Sequence, residues 1–89
     1  MANINKVDWE ILRKKLLYKS VHRGCKETDI LLGEFAKQKL SDFNFEQLLL
    51  YKDFIEEDDL KIYNWLLRKE DFPDKYGKLI NEIGDFHKL

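Results

Sequence analysis

The chain is predicted to be all-α, a small single-domain antiparallel bundle of about five helices. Apolar residues recur at helical spacing along nearly its whole length, and no stretch alternates with the period of a strand. Turn-forming clusters also divide the chain into helix-sized pieces, at Gly24, at Ser41 to Asn44, at the acidic run Glu56 to Asp59 and at Phe72-Pro73-Asp74. Eighty-nine residues leave room for one core and no second domain.

The first helix is expected from about Lys6 to Val21, with residues 1–5 a frayed tail. It is apolar on two sides, Trp9, Leu12 and Leu16 on one and Val7, Ile11 and Tyr18 on the other, so it sits between neighbours or keeps one strip for a partner. The second runs from Cys25 to Leu40. At about 100° per residue its apolar face gathers Cys25, Leu31, Leu32, Phe35, Ala36 and Leu40, with Lys26, Glu34, Lys37 and Gln38 opposite. Asn44 with Gln47 three residues on reads as a capping box for the third helix. That helix carries Phe45, Leu48, Leu49, Tyr51, Phe54 and Ile55 on nearly all its faces and is expected to be central.

The fourth, Leu60 to Arg68, follows Glu56-Glu57-Asp58-Asp59, which suits an N-terminal cap and the positive end of the helix dipole. Leu60, Tyr63, Trp65 and Leu66 read as core. The last helix, Lys75 to about Phe86, places Tyr76, Leu79, Ile80 and Ile83 at helical spacing, while Gly77 and Gly84 weaken it and residues 87–89 are expected to fray.

Composition narrows the function classes. Hydrophobic residues are 44% and aromatics 13%, enough for a packed core despite 37% charged residues. One cysteine excludes an intramolecular disulfide, and two histidines leave no metal-ligand constellation. Cys25 is expected to be a small buried hydrophobe. The start Met1 to Asp8 has no apolar signal segment, and Asp8 and Glu10 argue against a mitochondrial presequence. The apolar run Leu48 to Tyr51 is too short to span a bilayer, so no membrane insertion is expected. Residues 1–26 hold seven Lys and Arg against two acids and the remainder nine against fifteen, which divides a net charge of −1 into basic and acidic parts. The basic first helix (Lys6, Arg13, Lys14, Lys15, Lys19) reads as a solvated face, then as a surface for an acidic partner; nucleic acid is not expected, because no reader motif accompanies it.

The richest segment is His22-Arg23-Gly24-Cys25-Lys26-Glu27-Thr28-Asp29. A glycine at this joint takes the left-handed conformation that ends a helix cheaply. The acids that follow lie in the next helix's first turn, where backbone N–H groups favour negative charge. On the wheel Glu27 falls on the wet face and Asp29 inside the apolar one. Asp29 must therefore be hydrogen-bonded, and it braces the joint through backbone N–H groups or a basic residue of the first helix. Arg23 and Glu27 are expected to face outward.

These residues resemble the SdhE family of small succinate dehydrogenase assembly factors. The likeness begins near Lys15-Leu16-Leu17-Tyr18, passes through the motif Arg23-Gly24-x-x-Glu27, Asp29, Leu31-Leu32-Gly33 and Phe35, and returns at Asp58-Asp59-Leu60 and Tyr63-Asn64-Trp65-Leu66. His22, where many members carry a second basic residue, and Cys25, where many carry methionine, are mild departures. The resemblance implies a chaperone-like assembly factor that is not an enzyme. It would bind the flavoprotein subunit of succinate dehydrogenase, in some bacteria also that of fumarate reductase, and promote covalent attachment of FAD to a histidine of that partner. FAD then belongs to the client, and this chain holds no cofactor stably. Arg23, Gly24 and Glu27 would contact the partner, with Asp29, His22 and Lys19 bracing the turn or making secondary contacts. Gly24→Arg and Glu27→Ala are expected to spare the fold. A monomer when free is expected, in the bacterial cytoplasm, or in the mitochondrial matrix if the source is eukaryotic. The alternative from the residues alone is a regulatory, antitoxin-like protein-binding module.

Overall fold

Helix α1 spans Lys6–Val21, the bounds expected from periodicity and from the breaker that follows. The computed structural model describes residues 6–89, with only the backbone of residues 6 and 7, so the expected tail at 1–5 and the place of Val7 lie outside the described residues. Leu16 of α1 is buried, with Trp9, Leu12 and Leu17 partly so, while Ile11 and Tyr18 stand exposed on the opposite side. Arg13 does not join a free basic face: it donates to the carbonyls of Leu40 at 3.1 Å and Phe43 at 2.7 Å and pairs with Glu10.

Helix α2, Lys26–Lys39, lies against α1 and ends in a 3-10 turn at Leu40–Asp42. The two helices come close where Gly33 meets Val21: a Cβ on Gly33 would stand 3.0 Å from the Val21 side chain. Helix α3, Phe45–Ile55, starts on the expected box, Asn44 accepting from the Gln47 N–H at 2.9 Å and Gln47 accepting from the Asn44 N–H at 2.8 Å. Helix α4, Asp59–Leu66, is capped by Asp58, whose carboxylate accepts from the Leu60 and Lys61 N–H groups. Pro73 ends the connection, a 3-10 turn at Asp74–Tyr76 follows, and α5 runs Gly77–His87. No strand occurs among the described residues.

An aromatic series holds these elements together. Phe35, Tyr51, Phe54, Trp65 and Tyr76 make successive ring contacts at 6.2, 6.5, 6.2 and 5.8 Å between centroids, tying α2 to α3, α4 and the turn before α5. Offset rings at such distances add to what burial alone contributes. The buried hydroxyls are satisfied: Tyr51 shares a 2.6 Å hydrogen bond with Ser20, and Tyr76 donates to Glu57 at 3.1 Å.

Two expectations are corrected. Leu60 is 65% exposed rather than core. The inner stripe of α4 is Ile62, Trp65 and Leu66, and Leu60 lies two residues before Ile62, about 200° round the helix. The end of the chain is also docked, because His87 belongs to α5, its ring Nε2 is 2.7 Å from the Leu31 carbonyl oxygen, and Phe86 packs edge-on against Phe35. Lys88 then closes the helix in the left-handed conformation.

Candidate functional site

The joint between α1 and α2, His22 to Cys25, is built on Gly24, whose φ of +92° is open to glycine and strained for other residues. A Cβ there would meet nothing within 4 Å, so the restriction comes from the backbone and not from space. For Gly24→Arg the side chain has room, while the left-handed backbone adds a strain cost. Asp29 braces the joint as its position demanded, accepting the Arg23 N–H at 2.5 Å from within the first turn of α2.

Arg23 does not face outward. Its side chain is 9% exposed and is turned onto the α3–α4 connection. Nε donates to the Asp59 carboxylate at 2.5 Å, one terminal nitrogen to the Ile55 carbonyl and the other to the Glu57 carbonyl at 3.0 Å. The physical reason is the arginine's planar fork, which satisfies several acceptors at once. Here those are the carbonyls left over at the C-terminal end of α3, where a cation is favoured, and a carboxylate one residue beyond the α4 cap. Thr28, fully buried, adds a second tie to the same place, its hydroxyl donating to the Asp59 carbonyl at 3.4 Å.

Glu27 does face water. Its carboxyl is held below its ordinary value by a backbone N–H at Glu27 itself, then by the Cys25 thiol, with Lys26 adding to this and desolvation opposing it. Cys25 is half-buried rather than core; it takes the N-cap position of α2 with extended backbone, and its thiol donates to Glu27 at 3.4 Å. A surface depression lies beside the turn, lined by Cys25, Glu27, Asp58, Asp59, Leu60 and Tyr63. His22 is exposed and its ring lies tilted against Tyr18 with centroids 4.3 Å apart. Lys19 pairs with Glu56 at 3.1 Å, which holds the Glu56 carboxyl below its ordinary value and links α1 to the end of α3.

Arg23, Gly24, Glu27 and Asp29 therefore share one turn, with His22 and Lys19 on its α1 side. Thr28 and Asp59 were not among the expected site residues. Asp59 left a signal: the acidic run before α4 holds more carboxylates than one cap requires. Among the described residues no group of three or more His, Cys, Asp or Glu could hold a metal ion, and no helix is long and apolar enough to cross a membrane.

Residues 14–87 match a family model described as flavinator of succinate dehydrogenase. A protein of Dictyostelium discoideum named succinate dehydrogenase assembly factor 2, mitochondrial, is 37% identical over 78 residues, covering 88% of this chain and 55% of the relative. A Drosophila mojavensis protein named succinate dehydrogenase assembly factor 2-B, mitochondrial, is 38% identical over 80 residues, 88% of this chain and 51% of its own length. A Debaryomyces hansenii protein with the same name as the first is 40% identical over 70 residues, 75% of this chain and 49% of its own. The chain spans about half the length of these relatives.

Proposed function

Because the chain belongs to the flavinator of succinate dehydrogenase family, we propose that it is an assembly factor that binds the flavoprotein subunit of succinate dehydrogenase and promotes covalent attachment of FAD to it. The observation that carries this reading is the match over residues 14–87, which takes in the whole Arg23-Gly24-x-x-Glu27 turn and the acidic start of α4 that Arg23 grips. Relatives that cover 88% of this chain are named for succinate dehydrogenase assembly.

In this reading the factor supplies geometry, and the histidine that becomes bonded to the flavin belongs to the client. Holding the client so that its reacting groups sit in near-attack positions can account for a large part of a rate enhancement. Gly24 and Glu27 are the residues offered to the partner, since both are exposed on the turn. Arg23 supports them from behind. FAD is assigned to the client because the residues here do not fit it. Both helix starts beside the turn carry carboxylates, Glu27 on one and Asp58 and Asp59 on the other, where a pyrophosphate would need unopposed N–H groups. The same surface would serve a fumarate reductase flavoprotein, and the free factor is taken as a monomer. Its place of action follows the client: bacterial cytoplasm or mitochondrial matrix.

The test reads covalent flavin as fluorescence of the flavoprotein band in a denaturing gel. A flavoprotein that depends on such a factor is produced alone, with this chain, and with Glu27→Ala. A band that requires the wild-type chain and fades with the variant is the expected outcome. Equal bands in all lanes, with the chain folded, would overturn the proposal.

A further inference from the structure

The depression beside the turn has two walls from distant parts of the chain. Cys25 and Glu27 form one at the start of α2; Asp58, Leu60 and Tyr63 form the other at the start of α4. Asp59 joins them, held by Arg23 through its carboxylate and by Thr28 through its carbonyl. The walls are thus fixed before any partner arrives, which lowers the ordering required on binding.

Both walls carry a carboxylate, and the α4 wall adds apolar surface. Asp59 is neutralised by Arg23, whereas Glu27 and Asp58 are exposed and make no ion pair with a lysine or arginine among the described residues. Leu60 stands 65% exposed beside them, an apolar side chain that the core of this chain does not use. Tyr63 already has the Lys69 ammonium 5.7 Å from its ring centre, so an incoming cation is drawn to the carboxylates and not to the ring.

We propose that this groove docks a segment of the flavoprotein partner that presents one arginine or lysine beside an apolar side chain. The cation lies between the Glu27 and Asp58 carboxylates, and the apolar group lies on Leu60 and the edge of Tyr63. Arginine suits the first position best, because its fork can meet both carboxylates. This inference rests on the proposed function for the identity of the partner, and it adds which chemistry on that partner is recognised. A second copy of this chain carries a similar combination on α1, where Lys14 and Lys15 are exposed near Ile11 and Tyr18, so self-association is the competing occupant.

The full chain is titrated calorimetrically with the flavoprotein subunit at low and high salt, and its own association is followed by sedimentation. The variants are Leu60→Asp; Asp58→Ser, which keeps a capping oxygen while removing the charge; and Leu49→Asp, on an exposed part of α3 outside the groove. Expected are a loss of roughly tenfold or more in affinity for Leu60→Asp, as for a central contact residue, a smaller loss with a flatter salt response for Asp58→Ser, and no change for Leu49→Asp. Wild-type binding that Leu60→Asp leaves intact would overturn the groove while the assembly role stands. Equal weakening by Leu49→Asp would overturn it too. Self-association abolished by Leu60→Asp would assign the groove to a second copy instead. If the wild-type chain does not bind the flavoprotein at all, both the groove and the assembly role fall.

Discussion

Replacing Arg23 with alanine should destabilise the free protein, although the residue lies in a motif expected to serve a partner. The change removes an ion pair whose side chains are 9% and 30% exposed, together with two charged hydrogen bonds to the Ile55 and Glu57 carbonyls. Breaking a fully buried pair costs about 3–5 kcal/mol, and an exposed pair contributes about 1 kcal/mol or less. Asp59 is reached by water, so the pair falls between these limits, and water also replaces part of each carbonyl bond. About 3 kcal/mol for the whole clamp is the resulting figure. At roughly 4–8 °C per kcal/mol for a domain of this size, the melting temperature should fall by about 12–24 °C. Thermal denaturation followed by circular dichroism reads this directly. Arg23→Lys should recover only part, since an ammonium cannot reach one carboxylate and two carbonyls together. In a cycle with Asp59→Ala the double variant should lose clearly less than the sum of the singles. An Arg23→Ala protein that melts within about 2 °C of wild type, yet no longer supports flavin attachment, would refute the reasoning and return Arg23 to the contact surface.

Gly24→Ala should lower stability by about 1–2 kcal/mol in urea denaturation, purely from its left-handed backbone, because the added methyl has open space; an unchanged midpoint would show that the turn relaxes at no cost. Alkaline pH should also loosen the fold: burial pushes Tyr51 up to about 12 from 10.0, against the opposing hydrogen bond shared with Ser20 and the charge of Arg23. The folded state favours the neutral phenol, so this contribution is whole below pH 10 and is lost as pH rises towards 12, at most about 3 kcal/mol for two units. Urea midpoints should decline over that window in the wild type and decline less in Tyr51→Phe, with Tyr76, also raised to about 12 chiefly by burial, accounting for the remainder; a flat wild-type profile would contradict the assignment.

Much of the fold could be read from local chemistry. The bounds of α1, the Asn44–Gln47 box and the Asp58 cap depend on residues within a few positions of one another, and such rules act without knowledge of the rest of the chain. Asp29 was legible for the same reason: a carboxylate on an apolar face demands a donor, and the nearest free N–H groups lie in its own turn. What stayed hidden depends on distance or on the absence of a face. Arg23 sits between helices, where a wheel assigns no direction, and its acceptors are mostly backbone carbonyls that leave no mark in sequence. His87 is the same case, held by the carbonyl of a residue 56 positions away. Leu60 reads as core by its apolar character and Cys25 by its place on the wheel, yet both stand at helix starts, where capping geometry decides which way the chain turns.

The clamp at Arg23 has a bearing on the order in which the molecule becomes competent during synthesis. Its acceptors follow it by 32, 34 and 36 residues. When the motif first leaves the ribosome, the residues that orient it have not yet emerged, and its arginine has nothing to hold. The turn and the opposite wall of the groove take up their relation only after α3 and the start of α4 have emerged and packed. A nascent or truncated chain that ends before residue 55 carries the motif letter for letter and cannot present it. Under the proposed function, a fragment ending there is expected not to compete with the full chain for the flavoprotein.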